Sequence, residues 1–508
     1  MLGAVFDQFV FNASAGIDFA GSGVFVLIGS EVKPLRLRLA VFLGDEPALK
    51  EFFCTKGHQV ARCCALCSNI CLQRYLTATR AAMGDISSTE LDFGRFNAHT
   101  DDSVRLSAKI LADEHAKKGT REFIGICNFE EMELRLGLNH NPHNFVNKSY
   151  VAVVSGLMFD WMHIYLVGGL LTQEFGLTMQ MLQKARHCTY GSLRVFLGEW
   201  VWPHANRINL DRLFNKKVDK ENTASASFSC GASEMLTLLP TLALFMSTLV
   251  GRVEGPCLAA VLSLVACMDV VELLQQVKAG IVAPALLETA VCDHLQKRRA
   301  AHGTEIDANA IKAHQAGHLP RQMQEHAGRL YSCFVQERHH RLLTKYAAVR
   351  KQTKSYERGV VEEITVEQIQ DLEVNWLHIG LVNPREPPRH TASVLRDLGF
   401  VGVVTSLTYK AAFGSVHVGD AISVRSANGD CIGEVAVLFQ QGDVDYVIVS
   451  PWEPLHAADV PKNAMRVDTT CVGLRVFEAA CIHATLPHTR PSPENSVVLV
   501  KFPPSLRR

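Results

Sequence analysis

Cys64-Ala-Leu-Cys67 and His314-Gln-Ala-Gly-His318 bring two thiols and two imidazoles into a chain of 508 residues, and together they make the four nitrogen and sulfur ligands of a tetrahedral zinc. Either pair alone is a weak metal signal, and Cys63 and Cys71 flank the first pair, so spacing leaves open which thiols bind. Acidic residues bracket the set. Gly44-Asp45 precedes the cysteines, and Glu337, in Phe-Val-Gln-Glu, follows the histidines. Carboxylates are the oxygen donors that Mg²⁺ requires, so Asp45 and Glu337 are candidates for the metal-assisted chemistry of phosphoryl transfer on nucleic acid. Asp160-Trp-Met-His163 adds an acid and an imidazole between the two halves.

Something must position these groups. Leu35-Arg-Leu-Arg-Leu-Ala-Val-Phe-Leu43 alternates and then turns continuously apolar, which predicts one strand entering a buried sheet and ending at Asp45. A carboxylate there lies at the sheet edge where active sites collect. The same Asp45 also reads as the N-cap of a helix beginning Glu46-Pro47, since an Asp followed by Pro in the first turn starts many helices. Ser107 to Lys118 predicts an amphipathic helix, and Asn139 to Asn144 a turn-rich loop. From about 150 to 350 the pattern is helical.

The stretch from Leu319 to Gln352 is the most basic of the chain. Its Arg338, Arg341, Lys345, Arg350 and Lys351 read either as a solvated helix face or as cations that meet DNA phosphates around Glu337. Past Trp376 the texture changes. Asn383-Pro-Arg-Glu-Pro-Pro-Arg-His390 predicts a linker, and Ala421 to Arg425, Ile432 to Phe439 and Tyr446 to Val449 predict strands, with Asn428-Gly429 as a hairpin turn. This points to a small C-terminal β-barrel or β-sandwich serving as an interaction module.

Composition sets bounds. Lys+Arg and Asp+Glu are equal at 51 each, so a nucleic-acid surface has to be a local patch. Fifteen cysteines are too sparse for a disulfide scaffold and point to a reducing compartment. The N-terminus has no basic n-region and carries Asp7 early, which is unlike a signal peptide. The uncharged runs Met235 to Val250 and Pro256 to Met268 fall short of the roughly 20 residues a bilayer span needs, so no membrane partner is expected.

The order of acid, CxxC, HxxxH and acid resembles the DDE transposases of the CACTA (En/Spm) group. Leu39-Ala-Val-Phe-Leu-Gly-Asp45 with Pro47-Ala48 and Thr55-Lys-Gly57 is similar to that family's Asn-Asp-Phe-Pro-Ala-Tyr and Ser-Thr-Lys-Gly block before its Cys-Pro-x-Cys. Phe159-Asp-Trp-Met-His-Ile164 is similar to its Leu-Asp-Val-Met-His-Ile, Phe334-Val-Gln-Glu-Arg338 to its Pro-Phe-Glu-Arg, and Ser355 to Glu362 to its Pro-Glu-Gly-Ser-Ile-Ala-Glu.

The resemblance, covering about residues 35 to 370, implies an α/β RNase H-like core interrupted by a large all-α insertion. On that division, residues 1–75 are a partial core with the CxxC, 76–310 the helical insertion, and 311–375 the HxxxH and catalytic-Glu region. Residues 376–395 are the linker and 396–508 the small all-β domain. It implies a nuclear, DNA-associated product of a transposable element, with a structural zinc and ancestral two-Mg²⁺ strand cleavage and transfer, in which Asp45 is the second acidic ligand and Glu337 the third, with Glu357 the rival for that last role and Glu362 a more distant one. Transposon ends, a second copy of the chain and a protein bound by the β domain are the implied partners. Asp160 and His163 keep an unassigned role, either an oriented structural histidine or a DNA contact. The stretch before Asp45 is too short for the strands and helix that precede the second acid in such a core, and neither Asp18 nor Asp7 leaves enough chain. The expectation is therefore an N-terminally truncated transposase with its first catalytic Asp missing and its activity impaired. A non-enzymatic, zinc-stabilised DNA-binding or adaptor protein is the alternative, and a helical membrane protein the lesser one.

Overall fold

The computed structural model describes residues 11–12, 17–18, 23–28, 31–36, 41–57, 60–117, 129–142, 145–148, 151–277, 280–303, 306, 311–334, 362–363, 366, 379–426, 429–455, 464–470, 473–490 and 496–501. It mixes helices and sheets and ends in an all-β region. Two compact units divide the chain: Met1–Glu174 with Leu262–Phe334, and Phe175–Val261 with Val335–Arg508.

In the first unit the strand expected over Leu35–Leu43 is resolved differently. Leu35 ends the strand Glu31–Leu35, which pairs antiparallel with Val24–Ile28, while Phe42–Gly44 is a separate short strand; 37–40 lie outside the described residues. Phe42–Gly44 runs parallel to Leu157–Phe159, with Gly44 opposite Phe159. That pairing puts a strand within the stretch 76–310 expected to be helical. The pair is non-local, and no short-range pattern encodes it.

Asp45 caps the helix Glu46–Phe53, with Pro47 in the first turn, as the capping alternative predicts. The helix stops at Cys54, which turns left-handed (φ 54°). Its Phe52 and Phe53 close over Phe42 and Phe145, with Phe52 stacked on Phe145 at 3.9 Å between ring centroids. The amphipathic helix starts earlier than Ser107, at Asp101, because Thr100 and Ser103 form a reciprocal capping box. It buries Val104, Ala108 and Leu111. Its Asp101 carboxylate accepts the Val154 amide at 2.6 Å, which holds the approach to Leu157–Phe159.

The uncharged runs extend into longer helices than the charge pattern predicts, Ala232–Val250 and Gly255–Val277. The second continues through Asp269 and Glu272. Both are long and apolar enough to cross a membrane by length and composition, yet half and two thirds of their most apolar windows are packed inside the protein.

In the second unit, Arg475–Glu478, Val444–Pro451, Gly429–Gln441, Ala421–Ser426 and Ile482–Thr485 form one antiparallel sheet, with Val404–Ser406 also on Gly429–Gln441. Glu453–Leu455, Ala464–Asp468, Val497–Lys501 and His488–Thr489 form another. Its outer strand is Trp200–Val201, contributed from far upstream. Alternation along Gly429–Gln441 sends Cys431 and Val435 to one apolar core and Ile432 to another. The hairpin expected at Asn428-Gly429 is present but shifted: Gly429 already pairs with Ser426, and 427–428 lie outside the described residues. The expected linker is structured in part, since Arg385 bridges Thr405 and Arg389 begins the helix Arg389–Asp397.

Candidate metal centre

The CxxC sits on a loop built by polar side chains. Asp85, buried, receives Arg62 at 2.8 Å and Arg80 at 3.3 Å. Asn69 donates to the Arg95 carbonyl and accepts the Asn97 amide, both at 2.9 Å, which draws the following stretch alongside. Cys67 bridges Ala98, and the Leu66 amide points at Cys64 Sγ at 3.4 Å, a contact that favours a thiolate.

The two histidines do not share one continuous helix, as their i, i+4 spacing suggests. His314 lies in the last turn of Ile311–Ala316, and His318 begins Leu319–Glu325 without spending its side chain on a cap. Gly317 makes the joint. A Cβ there would lie 2.6 Å from the Phe93 ring, so the close approach admits only hydrogen.

All four donors are buried and converge, with their donor atoms within 4.8 Å of one another. His318 Nε2 lies 3.5 Å from Cys64 Sγ, 3.3 Å from Cys67 Sγ and 3.0 Å from His314 Nε2. Zinc–sulfur and zinc–nitrogen bonds of about 2.3 and 2.0 Å give tetrahedral edges of roughly 3.3 to 3.8 Å, so the three edges from His318 are within tenths of an ångström of zinc geometry. Phe96 and Phe159 wall it, with centroids 4.6 Å from the His314 ring and 5.7 Å from the His318 ring.

The electrostatics suit a cation. Burial opposes ionisation of Cys64, yet its hydrogen bond with Cys67 and the adjacent imidazoles bring it well below the ordinary thiol value. Sharing that hydrogen bond, together with burial, pushes Cys67 up. Burial lowers His314, which keeps its ring neutral and its Nε2 lone pair free for a metal. Its Nδ1 has no hydrogen-bond partner among the described residues. Cys63 and Cys71, left open by spacing, are buried outside the cluster.

The carboxylates divide sharply. Asp45 is partly exposed, and its side chain accepts the Ala48 amide at 2.9 Å. Asp160, buried at 2% exposure, accepts the Met162 and Cys333 amides, both at 3.1 Å, on Oδ1 and pairs with His163 Nδ1 through Oδ2. Asp160 therefore orients His163 and caps the helix Trp161–Tyr165. Glu337, Glu357, Arg338, Arg341, Lys345, Arg350 and Lys351 lie outside the described residues.

Sequence reasoning missed Lys312. Its Nζ donates to the Val167 and Gly168 carbonyls at 2.9 Å each, and burial lowers its pKa against the opposing pull of Glu46 and Asp45. It missed Gln322 as well, whose amide side chain bonds to the backbone of Leu157 and Phe159. The only local hint is that Gln322 lies one turn beyond His318.

Among the described residues, two other clusters contain metal-ligand residue types. In Asp160, His163 and Cys333 the carboxylate already accepts the three hydrogen bonds above. In Glu174, Cys267 and His294 the carboxylate is already paired. Glu174 receives His294 Nε2 at 2.8 Å and the Ser263 hydroxyl, and Arg298 Nε lies 3.7 Å away. Despite burial, His294 and Arg298 hold Glu174 below the usual carboxylate value. Burial and then Glu174 keep Cys267 a thiol, raised well above its ordinary value. A dication there would stand beside Arg298 on a carboxylate that already has its partners, so we read this cluster as a closed ionic network.

No family model, curated protein or solved structure matches this chain.

Proposed function

We propose that the chain is a zinc-stabilised, DNA-associated protein of CACTA-transposase descent, acting in the nucleus. The observation that carries this reading is the convergence of Cys64, Cys67, His314 and His318, with Cys64 and His318 separated by 254 positions. The resemblance demands that convergence, and an unrelated helical protein has no reason for it. The parallel pair ending at Asp45 and Asp160 supports an RNase H-like origin for the surrounding core.

Zinc supplies structure in this reading, since all four positions of a tetrahedral ion are taken by protein ligands and no site is left for substrate. Cys64 and Cys67 anchor the loop after Asp45, and His314 and His318 anchor the chain that leads toward Glu337. The two-Mg²⁺ centre of the ancestral chemistry needs Asp45 together with Glu337 or its rival Glu357, and both glutamates lie outside the described residues. Asp45 accepts the Ala48 amide, and Asp160 accepts three hydrogen bonds. Strand cleavage is not part of the proposed activity. Binding of DNA falls to the cations Arg338, Arg341, Lys345, Arg350 and Lys351, and binding of a protein partner to the C-terminal sheets.

Metal analysis of the purified chain, combined with anisotropy titration of a labelled DNA duplex, tests the proposal. It expects one zinc per chain, and DNA affinity that falls with salt and with charge-reversal of the five cations. Mn²⁺- or Mg²⁺-dependent nicking abolished by Asp45→Asn would restore the catalytic reading. Absence of zinc together with salt-insensitive DNA binding would remove the proposal.

A further inference from the structure

We infer that Gln322 carries the state of the Cys64/Cys67/His314/His318 centre to the carboxyl end of the Leu157–Phe159 strand, so that metal occupancy sets the docking of the chain from Leu319 to Cys333. This rests on the zinc reading and adds a positioning residue to it.

The argument starts from strand geometry. In Leu157–Phe159 successive backbone groups point to opposite edges. The Phe42 amide bonds to the Gly156 carbonyl, so Gly156 and Met158 face the Phe42–Gly44 strand, and the Leu157 carbonyl and Phe159 amide face away. Left alone, those two buried groups would be an unpaired edge, which is costly. Gln322 fills that edge as one residue of a neighbouring strand would. Its Nε2 donates to the Leu157 carbonyl at 2.9 Å and its Oε1 accepts the Phe159 amide at 3.2 Å, with the side chain 2% exposed.

Gln322 is fastened directly to the metal centre. Its amide donates to the His318 carbonyl at 2.9 Å, so ligand and plug stand one helical turn apart on the same short helix. A helix of seven residues has little stability of its own, and its placement depends on what holds its ends. At the start it is held by the metal ligand. Beyond its end, the Tyr331 amide reaches Met158 Sδ at 3.3 Å, and the Cys333 amide reaches Asp160. The strand thus receives Gln322, Tyr331 and Cys333 in sequence, and the helix between centre and strand links them.

Remove the metal and the two thiols and two imidazoles lose the ion that gathers them. The rings then relax, the helix turns with them, and the carboxamide leaves its edge.

The test is hydrogen exchange by mass spectrometry on the full chain, reading peptides over Leu157–Asp160 and Tyr331–Cys333, with zinc loaded and after chelation. A peptide over Val447–Val449 is the folding control. Chelation is expected to speed exchange in both test peptides by about tenfold or more and to leave the control unchanged. Gln322→Ala is expected to retain zinc, to exchange fast at both peptides with zinc present, and to show no further change on chelation. Gln322→Glu keeps an acceptor for Phe159 and loses the donor for Leu157, so it is expected to restore protection in the first peptide in part. Equal exchange with and without zinc in the wild type, or full protection in Gln322→Ala, overturns the inference while the zinc reading stands. A chain that holds no zinc overturns both.

Discussion

Asp45 and Asp160 leave the carboxyl ends of two neighbouring parallel strands at the same level, Gly44 facing Phe159, and only Asp160 is enclosed. Asp45 caps a helix at the surface; Asp160 gathers two amides and an imidazole from three directions. Their replacement should therefore have unequal effects. Asp45→Ala is expected to cost about 1 kcal/mol, the value of an N-cap. Asp160→Ala is expected to cost about 3 kcal/mol or more, because it strands buried donors. Urea unfolding of both variants checks this, and equal losses would show that Asp160 is not the tie described.

Gly317 allows no side chain under Phe93. Gly317→Ala is expected to pull His314 and His318 out of alignment and to lower zinc affinity at least tenfold in a chelator competition. The packing strain should be about 1 to 3 kcal/mol. Phe93→Leu in the same chain gives the methyl group room and should recover much of the affinity. Failure of the double variant to recover would place the cause elsewhere.

The buried network around Glu174 has a pH signature. Its folded pKa is depressed relative to the unfolded chain, so its contribution is complete above the unfolded value of about 4.3 and is lost as pH falls through the lower folded value. Glu174→Gln is expected to lower stability at pH 7 and to flatten the acid limb of the stability profile. Arg298→Met alone, which leaves Glu174 with His294 and Ser263 as its partners, should cost about 1 to 3 kcal/mol, and Glu174→Gln with Arg298→Met should cost less than the sum of the two single changes. An unchanged acid limb in Glu174→Gln would exclude this network as its source.

Asp420 joins the upstream segment to the C-terminal sheets: Oδ1 accepts the His204 amide at 2.9 Å and its ring at 2.8 Å, and Oδ2 accepts the His417 amide at 2.8 Å. Asp420→Ala is expected to loosen Trp200–Val201 from His488–Thr489 and to expose that edge. A fragment beginning at Ile379 would lack the strand altogether and should self-associate more than the full chain in light scattering. A monodisperse fragment of undiminished stability would count against this role for the edge.

The legibility of this chain follows the range of the interactions. The convergence of Cys64, Cys67, His314 and His318 is readable because ligand chemistry limits candidate metal sites to few residue types and short local spacings. Gln322 is not, since its partners are backbone groups 163 and 165 positions away, and a glutamine carries no mark of that use. Asp45 is ambiguous because capping and metal binding ask for the same carboxylate. The strand Phe42–Gly44 is shorter than its apolar pattern predicts, because apolar alternation does not say where pairing stops. In Gly255–Val277 the absence of charge understated the helix, which buries Glu272 at 3% exposure.

The separation between the two halves of the metal centre also orders events during synthesis. Cys64 emerges 254 residues before His318, an interval of roughly 13 to 50 s at ordinary translation rates. Throughout that time the CxxC thiols have no imidazole partners and are open to oxidation or to a competing metal. On the proposed zinc reading, the nascent chain must reach His318 with those thiols still reduced, so its yield should depend on the redox state and free zinc of the cell that makes it.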